Sequence, residues 1–211
     1  MRITKFGHAC LMIEEQEMRL LIDPSTFAKN LADVSDADAI LITHDHFDHL
    51  DAGTVKDVLL RSPSATVYAD PGASKVLDEA GVSVATVADG DEIDIKGVRV
   101  QVVGEHHDHV HPDLPIMGNV GFLIAGRFFY PGDALTVPNE PVEILAQPTD
   151  GPWLKLEQTL DYVRAIKPKV VIPVHEGTLA MPQMNYGPME QFAKEAGATF
   201  HNLDHGKPVE F

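Results

Sequence analysis

The chain has 211 residues, enough for one domain with a sizeable core, and its 44% apolar and 23% charged content is ordinary for a globular protein. Its formal net charge of −16 leaves no basic stripe for a phosphate backbone, which argues against a nucleic-acid partner. The single cysteine, Cys10, excludes an internal disulfide and a thiolate-rich zinc site, and no run approaches the ~18 apolar residues of a membrane span.

The opening stretch, MRITKFGHACLMIEE, is too short in its apolar part for a signal peptide, so a cytoplasmic protein is the expectation. Arg2 to Glu14 alternates as a strand, and Met18 to Ile22 makes a second, ending at Asp23-Pro24. Ala39 to Thr43 is a β-rich apolar run of the buried type. Asp51 to Ser62 predicts a helix with Val55, Val58 and Leu59 on one face; Ala65 to Ala69 predicts a strand. Pro71 to Ala80 is a helix that Gly81 ends, and Val82 to Val87 a strand. Glu92 to Val103 reads as a hairpin turning at Lys96-Gly97.

Val120 to Ile124 and Arg127 to Tyr130 pair across Ala125-Gly126. Leu156 to Ile166 has helical periodicity, Lys169 to Val174 is a buried strand, Met189 to Ala196 is a helix, and Pro208 to Phe211 is a last strand. Residues 131–153, with five prolines, and 180–188 read as long irregular loops of the kind that serve as lids. Two similar β-rich halves without a linker predict a single domain over residues 1–211, with two sheets face to face and helices outside.

The chemistry is concentrated at strand ends. Ala39–Thr43 runs into His44-Asp45-His46-Phe47-Asp48-His49, Val98–Val103 into His106, Arg127–Tyr130 into Asp133 and Lys169–Val174 into His175. In an extended segment residues two apart face one side, so His44 and His46 can converge on one ion. Asp48 and His49, where the chain turns toward the next helix, can aim at a second. Imidazole and carboxylate together suit zinc, and also manganese or iron(II). Taken singly, His175 would be read as a satisfied core histidine, and His8 divides evenly between a pocket role and packing. Asp23 and Asp45 are read as acceptors for ligand histidines or as strand-end caps. Trp153 is a pocket wall or a pin for its loop, Cys10 a small buried apolar residue, and His201 and His205 surface groups.

His44-x-His46-x-Asp48-His49, His106, Asp133 and His175 together resemble the ligand set of the metallo-β-lactamase fold hydrolases. The wording around them, Gly7-His8-Ala9-Cys10, Leu21-Ile22-Asp23-Pro24, Pro131-Gly132-Asp133 and Ile172-Pro173-Val174-His175, is similar to the bacterial branch related to ascorbate-6-phosphate lactonase. The resemblance covers essentially the whole chain. It implies an α/β (α+β) fold, a four-layer αββα sandwich of two mixed β-sheets. It puts His44, His46 and His106 on a first metal, Asp48, His49 and His175 on a second, and Asp133 between them. Within the run 105–111 His106 is chosen because it comes first after the strand; His107, His109 and His111 are the alternatives. On this reading His106→Ala weakens the first metal and His107→Ala does not.

The activity implied is hydrolysis by a hydroxide bridging two divalent ions, zinc first, with manganese or iron as the other candidates, and with Asp48 orienting the nucleophile. The substrate would be a small molecule bearing an ester, lactone or phosphoester. Lys29, Arg127 and Lys155 are the few cations available for a phosphate. Related proteins often self-associate, so a homo-oligomer is part of the expectation. The competing reading is a non-hydrolytic metal-binding or redox module on the same scaffold. The redox relatives usually carry Glu where His46 stands and a fused flavin domain, and neither is found here.

Overall fold

A computed structural model describes residues 1–211. It contains fourteen strands and four helices. The strands are β1 (Arg2–Lys5), β2 (Leu11–Glu15), β3 (Met18–Ile22), β4 (Ala39–Ile42), β5 (Thr66–Ala69), β6 (Ala85–Thr86), β7 (Glu92–Ile95), β8 (Val98–Val103), β9 (Gly121–Ile124), β10 (Phe128–Tyr130), β11 (Ile144–Pro148), β12 (Val170–Val174), β13 (Thr199–Phe200) and β14 (Val209–Glu210). The helices are α1 (Ala52–Arg61), α2 (Pro71–Glu79), α3 (Leu156–Ile166) and α4 (Gln183–Glu195).

The strands form two seven-stranded sheets, ordered β14-β1-β2-β3-β4-β5-β6 and β13-β12-β11-β10-β9-β8-β7. The pairings from β14 to β3 are antiparallel and those from β3 to β6 parallel. The second sheet repeats this, antiparallel from β7 to β10 and parallel from β10 to β13.

Side-chain alternation divides the core into layers. Leu11, Ile13, Leu20, Ile22 and Leu41 of the first sheet share one buried cluster with Val100, Phe122, Phe128 and Ile172 of the second. Their neighbours in sequence, Met12, Leu21, Ile40 and Ile42, face the other way and pack with Val55 and Val58 of α1 and Ala73 and Leu77 of α2. Tyr162 and Val163 of α3 and Ala193 of α4 cover the outer face of the second sheet. The result is the αββα sandwich expected from the sequence, with strands buried on both faces because helices cover the outer ones.

The helix ends follow their sequence signals. Asp51 caps α1 by accepting from the Thr54 N–H at 2.7 Å, and Asp70 caps α2 through Gly72 and Ala73, with Pro71 in the first turn. Lys96 and Gly97 both take positive φ, 53° and 83°, as the two-residue hairpin turn demands.

Four expectations are corrected. The single strand over 2–14 is two, because Gly7 at φ 118° breaks it and a Cβ there would meet the Phe27 carbonyl oxygen at 2.6 Å. The strand at 82–87 shrinks to Ala85–Thr86. Residues 131–153 are not one irregular loop: they contain β11, fully buried between β10 and β12 in parallel register. Residues 180–188 already belong in part to α4, which starts at Gln183 and carries Pro188 inside it. Packing of Ala193 against Val163 and Val171 holds that helix despite the proline.

Candidate metal centre

The parallel strands put their C-terminal ends on one edge of the sandwich, and both sheets deliver side chains there. The edge is laced across the sheets by backbone groups. Val120 N–H donates to the Thr43 carbonyl at 3.0 Å, and His175 N–H to the His8 carbonyl at 2.8 Å. The Tyr130 hydroxyl donates to the Ala9 carbonyl at 2.9 Å.

Two groups of ligand-type atoms converge at this edge, each set lying within 4.8 Å of one another: His44, His46, His107 and Asp133, and His8, Asp48, His49 and His175. Asp133 stands between them. Its Oδ1 is 3.2 Å from His49 Nε2, and its Oδ2 is 3.1 Å from His175 Nε2, 3.4 Å from His107 Nε2 and 4.0 Å from His44 Nε2.

Three imidazoles are oriented by a bond at their far nitrogen. Thr43 Oγ1 donates to Asp23 Oδ2 at 2.8 Å, so it accepts from His44 Nδ1–H at 2.9 Å. His49 Nδ1–H donates to Asp23 Oδ2 at 2.7 Å, and His107 Nδ1–H to the Asp108 carbonyl at 2.6 Å. Each bond turns Nε2 toward the centre, the arrangement by which proteins fix metal-binding imidazoles. The Nε2 atoms of His44, His49, His107 and His175 and Oδ1 of Asp133 are buried without a hydrogen-bond partner. Buried polar atoms are almost always paired. A convergent set of unpaired nitrogens around a carboxylate is what divalent cations would complete, so the residues present fit two such ions.

Electrostatics reinforce this. Burial presses His49 toward neutrality, but the Asp133 and Asp23 carboxylates outweigh it and hold the imidazolium well above the ordinary range. Burial also opposes protonation of His175, and Asp133, with help from Asp48, overrides it and raises it to about 9. Burial and the neighbouring His49 hold His44 well below its ordinary value. Asp133 and Asp48 remain ionised against the pull of burial: His49 and His175 act on Asp133, and His175, with its Nε2 at 3.5 Å, and a hydrogen bond from His8 act on Asp48.

His44, His46, Asp48, His49, Asp133 and His175 are thus brought together. His106 is not. Its side chain is 66% exposed and turned to Glu105, whereas His107 is 5% exposed and lies in the centre. Gly104, at φ 94°, breaks the alternation after β8, so the first histidine faces solvent and the second faces in. His8 was only half read from sequence. Its Nδ1 accepts from the Gly177 N–H at 2.8 Å, so its Nε2–H points at Asp48 Oδ2, 3.2 Å away. A Cβ at Gly177 would lie 2.8 Å from that Nδ1, which makes glycine necessary at this approach. Asp23 is an orienting acceptor for His49, while Asp45 lies beside Gly72 of α2 and hydrogen-bonds no histidine. Trp153 Nε1–H donates to Asp133 Oδ2 at 3.0 Å. A tryptophan among prolines carries no sequence signal for such a bond.

His175 itself sits at φ 66° at the end of β12. Strained backbone of this kind gathers at functional sites. Arg127 is paired with Glu143 and Lys155 with Glu157, while Lys29 lines a separate polar cavity beside His8. No helix is long and apolar enough to cross a membrane.

Comparison with known proteins agrees with this geometry. Residues 2–175 match the family described as Beta-lactamase superfamily domain. Protein Rv0786c of Mycobacterium tuberculosis is 38% identical over 185 residues, covering 85% of this chain and 86% of the relative. A UPF0173 metal-dependent hydrolase of Carboxydothermus hydrogenoformans is 28% identical over 99% of both chains. Among solved structures, Igni18, a metallo hydrolase from the archaeon Ignicoccus hospitalis, superposes with a TM-score of 0.78 at 19% identity, covering 100% of this chain and 98% of that one. The chain belongs to the beta-lactamase superfamily, and it is a metal-dependent hydrolase of the metallo-β-lactamase fold.

Proposed function

We propose that the centre holds two divalent ions, zinc in the first instance, and that the chain hydrolyses an ester or lactone bond in a small molecule. The observation that carries this reading is the position of Asp133, with one carboxylate oxygen facing His49 and the other facing His175 and His107. On this reading His44, His46 and His107 would hold one ion and Asp48, His49 and His175 the other, with Asp133 placed to serve both. When bound, such a pair polarises the electrophile's oxygen and lowers the pKa of water from 15.7 toward about 7.

The protein's own groups then supply order. Asp48, ionised at neutral pH, is an acceptor whose direction is set by the His8 Nε2–H at 3.2 Å. It would orient the attacking water. Trp153 and Asn119 fix Asp133, the first through its carboxylate and the second through its backbone N–H at 2.9 Å. The scarcity of free cations at this edge favours a carbonyl ester or lactone over a phosphoester. A small-molecule substrate, with no nucleic-acid or membrane partner, suits a chain of net charge −16. A cytoplasmic location and self-association remain part of the proposal.

Metal analysis and activity on p-nitrophenyl esters test it together. Two equivalents of zinc or manganese per chain are expected, with turnover that falls by about 10²-fold or more in Asp48→Asn while the fold is kept. A fully active protein with one equivalent, or full activity in Asp48→Asn, would overturn it.

A further inference from the structure

The chain between β8 and β9 leaves the sandwich and returns beside the metal centre. An isolated bridge pairs His106 with Gly118, and His107 N–H donates to the Met117 carbonyl at 3.0 Å. The excursion thus closed encloses a cavity of about 240 Å³. Its floor is His46 and His107, and its walls include Val110, Leu114, Ile116 and Met117. The Met117 sulfur is 3.0 Å from His46 Nε2, so cavity and centre are continuous.

Two features of this cavity are unusual for a surface of so acidic a chain. Val110, Leu114 and Ile116 are 47%, 53% and 50% exposed, an apolar cluster left open to water at the mouth of the site. The remaining polar lining is Asp108, His109 and His111, and neither lysine nor arginine takes part. Along the loop itself an anionic substrate arm would find no lysine or arginine and one carboxylate against it. An uncharged apolar arm would cover the exposed side chains and bring its attached carbonyl to His46 and His107.

We propose that the 107–117 loop is the binding site for an uncharged acyl or aromatic arm of the substrate, so that the enzyme prefers apolar esters or lactones to short or phosphorylated ones. This rests on the hydrolase reading above for its link to turnover, but the binding itself can be measured without it.

The test uses the metal-loaded protein and uncharged 4-nitrophenyl alkyl ethers, which have no acyl bond to hydrolyse. Trp153, the only tryptophan, is the fluorescent reporter, with its ring centroid 5.5 Å from that of His107. Affinity is expected to rise from the methyl to the butyl to the hexyl ether, by up to about fourfold per methylene. Leu114→Asp and Ile116→Asp, at exposed positions, should weaken the hexyl ether at least tenfold with metal content unchanged. Leu60→Asp, on the exposed face of α1, is the control and should change nothing.

In turnover, the preference for p-nitrophenyl hexanoate over the acetate should collapse in Leu114→Asp. Equal affinity for all three ethers, or tighter binding of 4-nitrophenyl phosphate than of the neutral ethers, would overturn the proposal. So would a Leu114→Asp protein that dissociates from a dimer to a monomer while binding the ethers unchanged, because the loop would then be a self-association surface. Ethers that bind by chain length to a protein inert toward every ester would keep this inference and sink the hydrolase reading. Ester turnover without chain-length dependence would do the reverse.

Discussion

Trp153 and Asp133 are joined by a hydrogen bond of 3.0 Å from the indole N–H to Oδ2, made in a buried pocket between the two halves of the centre. The indole restricts rotation of the one carboxylate that faces both ligand groups. Trp153→Phe keeps most of the ring and removes only the donor. Partners of this kind are worth about 10- to 100-fold in metal affinity. We expect that loss in a chelator competition, with far-ultraviolet circular dichroism unchanged. Unaltered affinity would reduce Trp153 to a wall.

His106 and His107 exchange the positions expected of them from sequence. His107→Ala removes a buried nitrogen aimed at Asp133, whereas His106→Ala trims an exposed ring. The expected outcome is loss of about one metal equivalent in His107→Ala and full occupancy in His106→Ala, read by elemental analysis after gel filtration. Metal loss in His106→Ala alone would restore the original assignment.

That exchange marks where the sequence stops being legible. Strand ends carrying ligands could be read because an apolar run followed by His or Asp needs only a period of two. The phase after β8 could not, because one glycine at positive φ resets it and any φ is open to glycine. β11 was hidden because Ile144–Pro148 lies in a proline-rich stretch, and its strand character comes from parallel neighbours 16 or more residues away. Pro188 hid the first turns of α4 for the same reason: tertiary packing overrides a local signal. His8 and Trp153 act through contacts with Asp48 and Asp133 that no spacing encodes.

Lys5 and Glu176 form a buried pair that fastens β1 to the end of β12. The ammonium is wholly buried and also donates to the Pro173 carbonyl at 2.6 Å. Burial lowers the Lys5 pKa, against the opposing pull of Glu176. Glu176→Ala strands the charge and should cost about 3–5 kcal/mol in urea denaturation. The double change Lys5→Met with Glu176→Leu should recover most of that, because an apolar pair has no buried charge to desolvate. A double variant no more stable than Glu176→Ala would show that the ion pair itself holds this edge.

Metal loading must expel protons. In the metal-stripped protein His175, raised to about 9, and His49, held well above its usual value, are both protonated at pH 7. A ligating nitrogen has to be bare, so both protons leave as the ion held by His49 and His175 enters. His44 is held neutral and the two carboxylates are already ionised, so they release none. The sign follows: protons compete with metal below about pH 9, and apparent affinity rises as pH increases toward that value. Titration calorimetry at pH 7 in buffers of different ionisation enthalpy should report about two protons released per chain. Because Nδ1 of His49 keeps its hydrogen on Asp23, the proton lost there is the one on Nε2. Asp23→Asn, which removes that charge, should lower the count, and a binding enthalpy independent of buffer would contradict the charge state assigned to His49 and His175.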